Sequence, residues 1–322
     1  MTDHVATVVI GRNEGERLTR CLASLAAQGV KPLVYVDSGS SDGSVVKARA
    51  MGADVVELDL STPFTAARAR NTGYARVCEI DPDAAFIQFV DGDCEVLPGW
   101  IEIALQALKS DPDLAVACGR QYERFPDATI WNTLINAEWD TPVGDVKTCG
   151  GNALIRRSAL DSVNGFRPDL IAGEEPEMCF RMRQLGWRIR RLEADMNMHD
   201  AAMTRWTQWW QRCRRAGFAY AEGMALHGRA PERHKVAEPR RALLWGAGVP
   251  ALAIIGAVAV SPWFLLFPVL AWGAQTLRLA LGHHTLLRAF FLTVGKVPEA
   301  QGVFDYWIGQ IRGQRRGLIE YK

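Results

Sequence analysis

The stretch Ala84-Ala85-Phe86-Ile87-Gln88-Phe89-Val90-Asp91-Gly92-Asp93 carries the strongest indication of the fold. Its first seven residues form an apolar run that predicts a fully buried β-strand. The run ends in two carboxylates separated by a glycine, and in open α/β sheets ligands bind at the carboxyl ends of the strands. Hard oxygen ligands at that edge suit Mg²⁺ or Mn²⁺ carrying a diphosphate. Asp-Gly is also a common turn dipeptide, so the preceding residues have to support this interpretation.

Two further strand–loop–helix units precede this stretch. Apolar runs at residues 5–10 and 33–36 predict buried strands, and each is followed by a polar loop and a helical pattern. Successive units of this kind predict a parallel sheet with right-handed crossovers, whose loops open on one rim. We therefore expect Glu14 and Asp37 to converge with the Asp91-Gly92-Asp93 turn.

Four motifs in order identify a resemblance. They are Asn13-Glu14, Val36-Asp37-Ser38-Gly39-Ser40-Ser41-Asp42-Gly43, Ala69-Arg70-Asn71-Thr72-Gly73 and Asp91-Gly92-Asp93. Together they resemble the catalytic domain of glycosyltransferase family 2, over about the first two hundred residues. The resemblance implies the GT-A fold, which is an α/β, Rossmann-like arrangement with a mostly parallel central sheet flanked by helices.

The resemblance also implies roles in nucleotide binding. Asp37 would accept the imide hydrogen of a uracil ring, because an ionised carboxylate can only accept hydrogen bonds. The residues around Asn13 and Glu14 would hold the base and the ribose, and Arg70 would contact the nucleotide. Asp91 would act on the ribose or through water. The alternative for Asp37 is a side chain that caps a turn.

A metal site follows from the same resemblance. Asp93 would ligate Mg²⁺ or Mn²⁺ directly, with Asp91 beside it. His199 stands where many GT-A enzymes have a histidine that touches the metal or the diphosphate, and a neutral imidazole could do so. Gly151 lies where family members place contacts to the donor sugar and the acceptor, although a simple bulge explains the glycine equally well.

The acidic pair Glu174-Glu175 supplies the candidate base. Pro176 belongs at the first position of a helix, which predicts that Glu175 is its cap and is kept ionised by the positive helix end. The family carries an acidic pair here whose second member, usually Asp, removes a proton from the acceptor hydroxyl. The assignment between Glu174 and Glu175 stays open, as does mere helix capping. Direct displacement by the activated hydroxyl would invert the anomeric carbon.

A later segment resembles a signature of processive polysaccharide synthases. Gln211-Arg212-Cys213-Arg214-Arg215 matches the pattern Gln-x-x-Arg-Trp, except that Arg215 stands in place of tryptophan. This departure counts against processivity. Gln211, Arg214 and Arg215 are candidates for binding the acceptor or the diphosphate, and the arginines could instead face anionic lipid.

The charges of the chain are unevenly distributed. Residues 1–180 hold 16 Lys and Arg against 27 Asp and Glu, whereas residues 181–322 hold 21 against 9. This pattern favours an acidic catalytic part joined to a basic part that meets anionic headgroups or a diphosphate-linked lipid. A basic region could also bind nucleic acid, but no recognised nucleic-acid-binding motif accompanies it, so we expect no nucleic-acid partner.

A long apolar stretch predicts a membrane hairpin. Residues 242–277 contain no charged side chain and are interrupted near Ser261-Pro262, so each half is just long enough for one span. Arginines at positions 240, 241, 278 and 288 flank the stretch, which places both ends in the cytoplasm by the positive-inside tendency. The protein is therefore expected at the inner, cytoplasmic membrane with its catalytic domain facing the cytoplasm. A re-entrant pair and a buried helical pair are the alternatives.

The remaining features complete the prediction. The break in composition near residue 236 divides the chain into a catalytic domain, 1–235, and a membrane-associated helical region, 236–322. Within that region, Leu286, Leu287, Phe290 and Phe291 predict an interfacial amphipathic helix, and residues 306–322 predict a basic tail. Seven scattered cysteines indicate neither a disulfide framework nor a zinc site. The Gly-x-Gly-x-x-Gly turn of dinucleotide oxidoreductases is absent after the first strand.

These patterns predict a metal-dependent inverting glycosyltransferase. The expected donor is a nucleoside-diphosphate sugar, most simply a uridine-linked one, and the expected acceptor is a lipid-linked saccharide used in polysaccharide or envelope glycan assembly. The alternatives are transfer to a polyprenyl phosphate and a non-catalytic membrane scaffold that binds a nucleotide.

Overall fold

A computed structural model describes residues 5–313 of the chain. The strands are β1 (Val5–Gly11), β2 (Leu33–Asp37), β3 (Asp54–Glu57), β4 (Phe86–Asp91), β5 (Cys94–Val96), β6 (Leu114–Glu123), β7 (Gly144–Asp145), β8 (Ala153–Arg156) and β9 (Arg188–His199). The α-helices are α1 (Glu16–Ala27), α2 (Ser44–Ala50), α3 (Ala66–Ile80), α4 (Trp100–Ser110), α5 (Ile130–Glu138), α6 (Arg157–Ser162), α7 (Glu174–Gln184), α8 (Trp206–His227), α9 (Ala237–Ala242), α10 (Val249–Ala259), α11 (Phe267–Leu281), α12 (Leu286–Val294) and α13 (Lys296–Ile311).

The strands form one mixed sheet in the order β3-β2-β1-β4-β8-β6-β9-β5, with β7 paired to β9. The half of the sheet from β3 to β4 is parallel, and β8 then runs antiparallel to both β4 and β6. The carboxyl ends of β1, β2 and β4 consequently lie at one rim. This confirms the predicted α/β GT-A arrangement, although the sheet is mixed and not mostly parallel, because β8, β5 and β7 all pair antiparallel with their neighbours.

Helices cover the sheet because their apolar residues recur at helical spacing. In α1 the buried side chains are Leu18, Cys21, Leu22 and Leu25, which form one face of the helix. Helix α3 lies against β1 and β2 through Gly73, where a Cβ atom would stand 2.3 Å from Val8 Cγ1. Only a residue without a side chain permits that approach, and it sets the position of Arg70 one turn earlier.

The chain divides into two compact units between Ala202 and Met203. The boundary lies before α8, about thirty residues earlier than the change of composition near residue 236 indicated. The reason is that α8 packs along α13, so that it belongs to the second unit.

In the second unit, the apolar stretch is helical. A π-helical segment, Leu243–Gly248, joins α9 to α10, and a 3₁₀ segment, Pro262–Leu266, follows the interruption at Ser261 and leads into α11. The stretches Ala237–Ala259 and Pro262–Leu281 are long and apolar enough to cross a membrane, with mean hydropathies of 2.0 and 1.5. Only 6% of the second stretch is buried, so it is not a core helix of the described unit. Arg315 and Arg316 of the predicted basic tail lie outside the described residues.

Candidate active site

The loops that leave β1 and β2 are fastened to each other. The backbone N–H of Asn13 donates to Ser40 Oγ at 2.9 Å, and Asn13 Oδ1 accepts from the backbone N–H of Ser41 at 2.8 Å. Gly15 N donates to Asp42 Oδ2 at 2.9 Å. Asn13 has φ of 56°, in the left-handed region that asparagine tolerates better than most residues. The two loops therefore form one structural element of the rim.

Asp37 is buried at the end of β2 and holds its own loop. Its Oδ2 accepts from the backbone N–H groups of Gly39 and Ser40 at 2.9 and 2.8 Å, and its Oδ1 accepts from the Tyr35 hydroxyl at 2.9 Å. Burial and the nearby carboxylate raise the pKa of the Tyr35 phenol. These contacts are those of a side chain that caps a turn, which is the alternative role predicted for Asp37. A carboxylate has about four acceptor positions, so one position on Oδ1 is left.

Glu14 connects these loops to the Asp91-Gly92-Asp93 turn. Its carboxylate pairs with Arg17 at 2.8 Å. A Cβ atom at Gly92 would lie 3.4 Å from Glu14 Cγ, and Gly92 N donates to the Ile10 carbonyl at 2.8 Å. The end of β4 thus packs against the loop after β1, as the parallel register of the two strands requires.

Arg70 joins the two acidic motifs. Its side chain is 4% exposed, and its terminal nitrogens lie 2.8 Å from Asp91 Oδ1 and 2.7 Å from Glu174 Oε1. Burial by itself lowers the pKa of Arg70. The attraction of the Asp91 and Glu174 carboxylates is larger, so that the pKa of the guanidinium is raised overall. The Phe166 ring lies below the guanidinium at 5.5 Å. Arg70 therefore positions two acids that lie 83 residues apart in sequence.

Gly151 is required by the same cluster. A Cβ atom at this position would stand 2.6 Å from Asp91 Oδ2 and 2.7 Å from Arg70 Nη2. The neighbouring Asn152 is buried, and its Oδ1 accepts from the backbone N–H of Asp91 at 2.8 Å. The backbone at Gly151 thus approaches the Arg70–Asp91 pair closely, which a residue with a side chain would prevent.

Asp93 and His199 meet where β5 pairs with β9. Their Oδ2 and Nε2 atoms are 3.3 Å apart, and Glu123 Oε2 lies 3.7 Å from the other ring nitrogen. The Trp139 ring packs edge-on against the imidazole, with ring centroids 4.6 Å apart. The ligand atoms of Asp93, Cys94 and His199 lie within 4.8 Å of one another, which is close enough to hold one metal ion. The sequence pattern predicts a strand only at residues 187–192, after which it is lost. In the structure β9 runs on to His199 and so carries this side chain to the site.

The geometry of Glu175 corrects two expectations. Helix α7 begins at Glu174 with Gly173 as its N-cap, so Glu175 lies inside the first turn and does not cap it. Its Oε1 accepts from the backbone N–H of Cys149 at 2.5 Å and from the Cys179 thiol at 3.1 Å. Burial raises the pKa of Glu175, whereas the helix end had been expected to hold it ionised. Desolvation is the largest effect because the side chain is buried.

The three residues predicted from the synthase-like signature lie on α8 in the second unit. Arg214 Nε pairs with Asp305 Oδ2 on α13 at 2.5 Å, which fixes one helix to the other. Gln211 and Arg215 lie on the same helix and are half-buried.

The sequence did not indicate two features of this region. Cys149 and Cys179, scattered along the chain, lie with their Sγ atoms 3.7 Å apart beside Glu175. Glu123 ends β6 and reaches His199, although nothing in its sequence surroundings distinguishes it from other acids. Both depend on contacts between distant segments, which no local pattern reveals.

The first unit combines a GT-A sheet with a rim that carries acids from four separate segments. The family model for glycosyl transferase family 2 matches residues 7–163. This domain belongs to that family.

Known relatives agree with the assignment. The chain is 29% identical over 214 residues to a pre-mycofactocin glycosyltransferase of Mycobacterium tuberculosis, which covers 61% of this chain. The chain spans only 42% of the length of that relative.

Solved structures share the fold. A mannosyltransferase from Pyrobaculum calidifontis, in complex with GDP-Man and Mn²⁺, has a TM-score of 0.64 at 20% identity, covering 94% of this chain and 87% of its own. Glucosyl-3-phosphoglycerate synthase from Mycobacterium tuberculosis, in complex with Mn²⁺ and UDP, has a TM-score of 0.51 at 16% identity, covering 70% and 81%.

Proposed function

We propose that the protein is an inverting glycosyltransferase that moves a sugar from a nucleoside diphosphate to an acceptor presented at a membrane. The observation that carries this proposal is the buried guanidinium of Arg70, which draws Asp91 and Glu174 to one place. Burying the guanidinium and the Glu174 carboxylate carries a desolvation cost, which a role of this cluster in catalysis would explain. A non-catalytic scaffold would have no use for such an arrangement.

The residues at the end of β4 fit a divalent cation. Asp93 offers a carboxylate and His199 an imidazole nitrogen 3.3 Å away, and carboxylate oxygens are preferred by Mg²⁺ and Mn²⁺. Glu123 Oε2 lies 3.7 Å from the other ring nitrogen, which is an electrostatic contact and longer than a hydrogen bond. When bound, the cation would supply positive charge to the departing diphosphate. Asp91, two residues before Asp93, pairs instead with Arg70 at 2.8 Å and is not among the ligand atoms that cluster with Asp93 in the described part of the chain.

Glu175 is the better candidate for the general base. Glu174 Oε1 is engaged by Arg70 at 2.7 Å, so the primary task of Glu174 is to hold the guanidinium and, through it, Asp91. Burial raises the pKa of Glu175, which makes its carboxylate a stronger base towards the acceptor hydroxyl. Glu175 then removes the proton of the acceptor hydroxyl, whose oxygen attacks the anomeric carbon opposite the leaving group.

The donor is proposed to be uridine-linked. Asn13 and Glu14 lie in the fastened loops at the rim, where a base and a ribose would fit. The remaining acceptor position on Asp37 Oδ1 suits the imide N–H of uracil. Of the two similar structures described above, the mannosyltransferase holds GDP-Man and the synthase holds UDP. Both kinds of nucleotide are therefore included in the test.

The acceptor is proposed to be a lipid-linked saccharide at the inner membrane, with the catalytic domain in the cytoplasm. The support is the two apolar helical stretches and their exposed side chains, such as Val258 at 86% and Trp263 at 78%. Exposed apolar surface of this extent indicates contact with lipid or another apolar partner. The basic residues at both ends of the hairpin favour a cytoplasmic orientation.

Donor hydrolysis and transfer test the proposal. The purified full chain is incubated with UDP- and GDP-sugars, with Mn²⁺ or with EDTA, and release of the nucleoside diphosphate is measured. We expect release with one donor class, dependence on the metal, and a loss of about 100-fold or more in Glu175→Gln. Glu177→Gln on the same helix is the matched control. Equal rates in Glu175→Gln and the wild type would overturn the assignment of Glu175 as the base. If no donor releases its nucleoside diphosphate, the proposal that the protein transfers a sugar from such donors is wrong.

The acceptor is tested separately. Transfer is compared between a polyprenyl phosphate and a polyprenyl diphosphate-linked saccharide in detergent, and flotation with anionic vesicles reports membrane binding. We expect transfer to the lipid-linked saccharide and flotation with the vesicles. Transfer only to the bare polyprenyl phosphate would show that this lipid, and not a lipid-linked saccharide, is the acceptor. Failure of the protein to float with the vesicles would contradict the proposal that it binds membranes.

A further inference from the structure

A cluster of sulfur and oxygen ligands lies beside the proposed base. The Sγ atoms of Cys149 and Cys179 are 3.7 Å apart, and Glu175 Oε1 is 3.1 Å from Cys179 Sγ. The three ligand atoms lie within 4.8 Å of one another. Glu175 and Cys179 are four residues apart on α7, so they share one face of the helix, and Cys149 approaches from the segment before β8.

The spacing of these atoms matches a particular kind of metal site. A tetrahedral Zn²⁺ with Zn–S bonds of about 2.3 Å holds two sulfurs about 3.8 Å apart. The observed separation of 3.7 Å is close to that value. A disulfide requires about 2.05 Å, so the two sulfurs would have to approach by more than 1.5 Å, roughly, to form one.

We propose that Cys149, Cys179 and Glu175 form a binding site for Zn²⁺, separate from the Asp93–His199 site. Two thiolates and one carboxylate leave the fourth position of the metal open, as in many zinc sites with three protein ligands. Binding would occupy the carboxylate that we assign as the base, so Zn²⁺ would inhibit transfer. The inhibitory consequence rests on the proposed function, whereas the binding does not.

Proton release follows from the same chemistry. Interaction with the neighbouring thiol and burial raise the pKa of Cys149, and burial raises that of Cys179, so both thiols are protonated without a metal. Zinc binds thiolates, so each bound ion displaces two protons and the affinity increases with pH. Cys118 lies near enough to influence both thiols, but its Sγ donates to the Arg190 carbonyl at 3.6 Å, which keeps it out of the ligand set.

Direct metal binding tests the site without any activity assay. The reduced full chain is titrated with Zn²⁺ by calorimetry, and with Co²⁺ to record a thiolate-to-cobalt charge-transfer band. We expect Cys149→Ser and Cys179→Ser to lose one bound Zn²⁺ or to bind it at least about 10-fold more weakly, because even an outer-shell change costs about 10–100-fold. Cys78→Ser, at a cysteine outside the cluster, is the matched control and should bind as the wild type does.

Asp93→Ala separates this site from the proposed catalytic one. We expect Asp93→Ala to lose Mn²⁺ binding while it keeps Zn²⁺ at the cysteines. If Cys149→Ser and Cys179→Ser both retain all the Zn²⁺ of the wild type, the proposal is wrong, whatever the enzyme assays show. A pair of thiols that is oxidised even in the freshly reduced and desalted protein would also overturn it, because a disulfide cannot ligate the metal. Folding of each variant is checked by circular dichroism, and the half-buried Cys149 is the position more tolerant of serine.

Discussion

Replacing Arg70 by methionine removes the cation from a buried cluster while keeping most of the side-chain length. The guanidinium makes ion pairs of 2.8 and 2.7 Å with Asp91 and Glu174, and it is 4% exposed. Removing one partner from a buried ion pair costs about 3–5 kcal/mol, because the remaining charge is left uncompensated. For a unit of this size each kcal/mol lowers Tm by about 2–4 °C, so Arg70→Met should lower it by about 6–20 °C.

Thermal unfolding of the detergent-solubilised full chain, followed by circular dichroism, measures this loss. Arg70→Lys keeps the charge but not the planar fork, so it should fall between the wild type and Arg70→Met. Combining Arg70→Met with Glu174→Gln removes one of the stranded charges and should recover about half of the loss. A Tm for Arg70→Met within about 1 °C of the wild type would refute the claim that Arg70 holds the acids together, as would a double variant less stable than Arg70→Met alone.

Three further changes test other parts of the site. Gly151→Ala should lower kcat/KM about 10-fold or more, because its Cβ would lie 2.6 Å from Asp91 Oδ2 and displace that carboxylate. Glu175→Gln should raise Tm at neutral pH and leave it unchanged near pH 4 in thermal melts. Burial raises the pKa of Glu175, so its stabilising contribution is complete below the pKa of the unfolded chain and is lost as pH rises through the folded pKa. Asp37→Asn should destabilise by about 1–3 kcal/mol in chemical denaturation, because its amide cannot accept all three hydrogen bonds that the carboxylate accepts, while Tyr35→Phe removes only one of them.

Each of these changes has an outcome that would contradict it. Unchanged kcat/KM in Gly151→Ala would mean that the contact with Asp91 is unimportant, with Gly273→Ala, where the added Cβ meets nothing, as the control. If Glu175→Gln changes Tm by the same amount at both pH values, ionisation of the Glu175 carboxylate does not affect the stability of the fold. Equal losses for Asp37→Asn and Tyr35→Phe would show that the backbone hydrogen bonds of Asp37 contribute little.

The sequence was sufficient for the parts of the fold that local patterns encode. Apolar runs that end in acids predicted β2, which ends at Asp37, and β4, which ends at Asp91. The alternation of strands and helices along the chain predicted the parallel half of the sheet. Periodicity could not show how far β9 runs, because its residues alternate between buried and exposed with charged side chains among them. The predicted strand was therefore half the true length and left His199 outside it.

Contacts between distant segments could not be read from the sequence. Arg70 and Glu174 lie 104 residues apart, and their ion pair depends on how α3 packs against the sheet and α7. The start of α7 was misplaced because Pro176 was assigned to the first helical position, whereas Gly173, with φ of 78°, ends the preceding loop. The effect of burial on the pKa of Glu175 could not be predicted either, because only the folded chain shows which residues surround this side chain.

Binding of a nucleoside diphosphate with a divalent cation tests the central claim most directly. UDP and GDP are titrated into the wild type and into Asp93→Asn, with Mn²⁺ and after its removal by EDTA, and the change in Tm is recorded. At a concentration 100 times Kd, the ligand should stabilise the wild type by about 2.7 kcal/mol with Mn²⁺, and much less with EDTA or in Asp93→Asn. Equal stabilisation of Asp93→Asn, or of the wild type without the metal, would contradict the account.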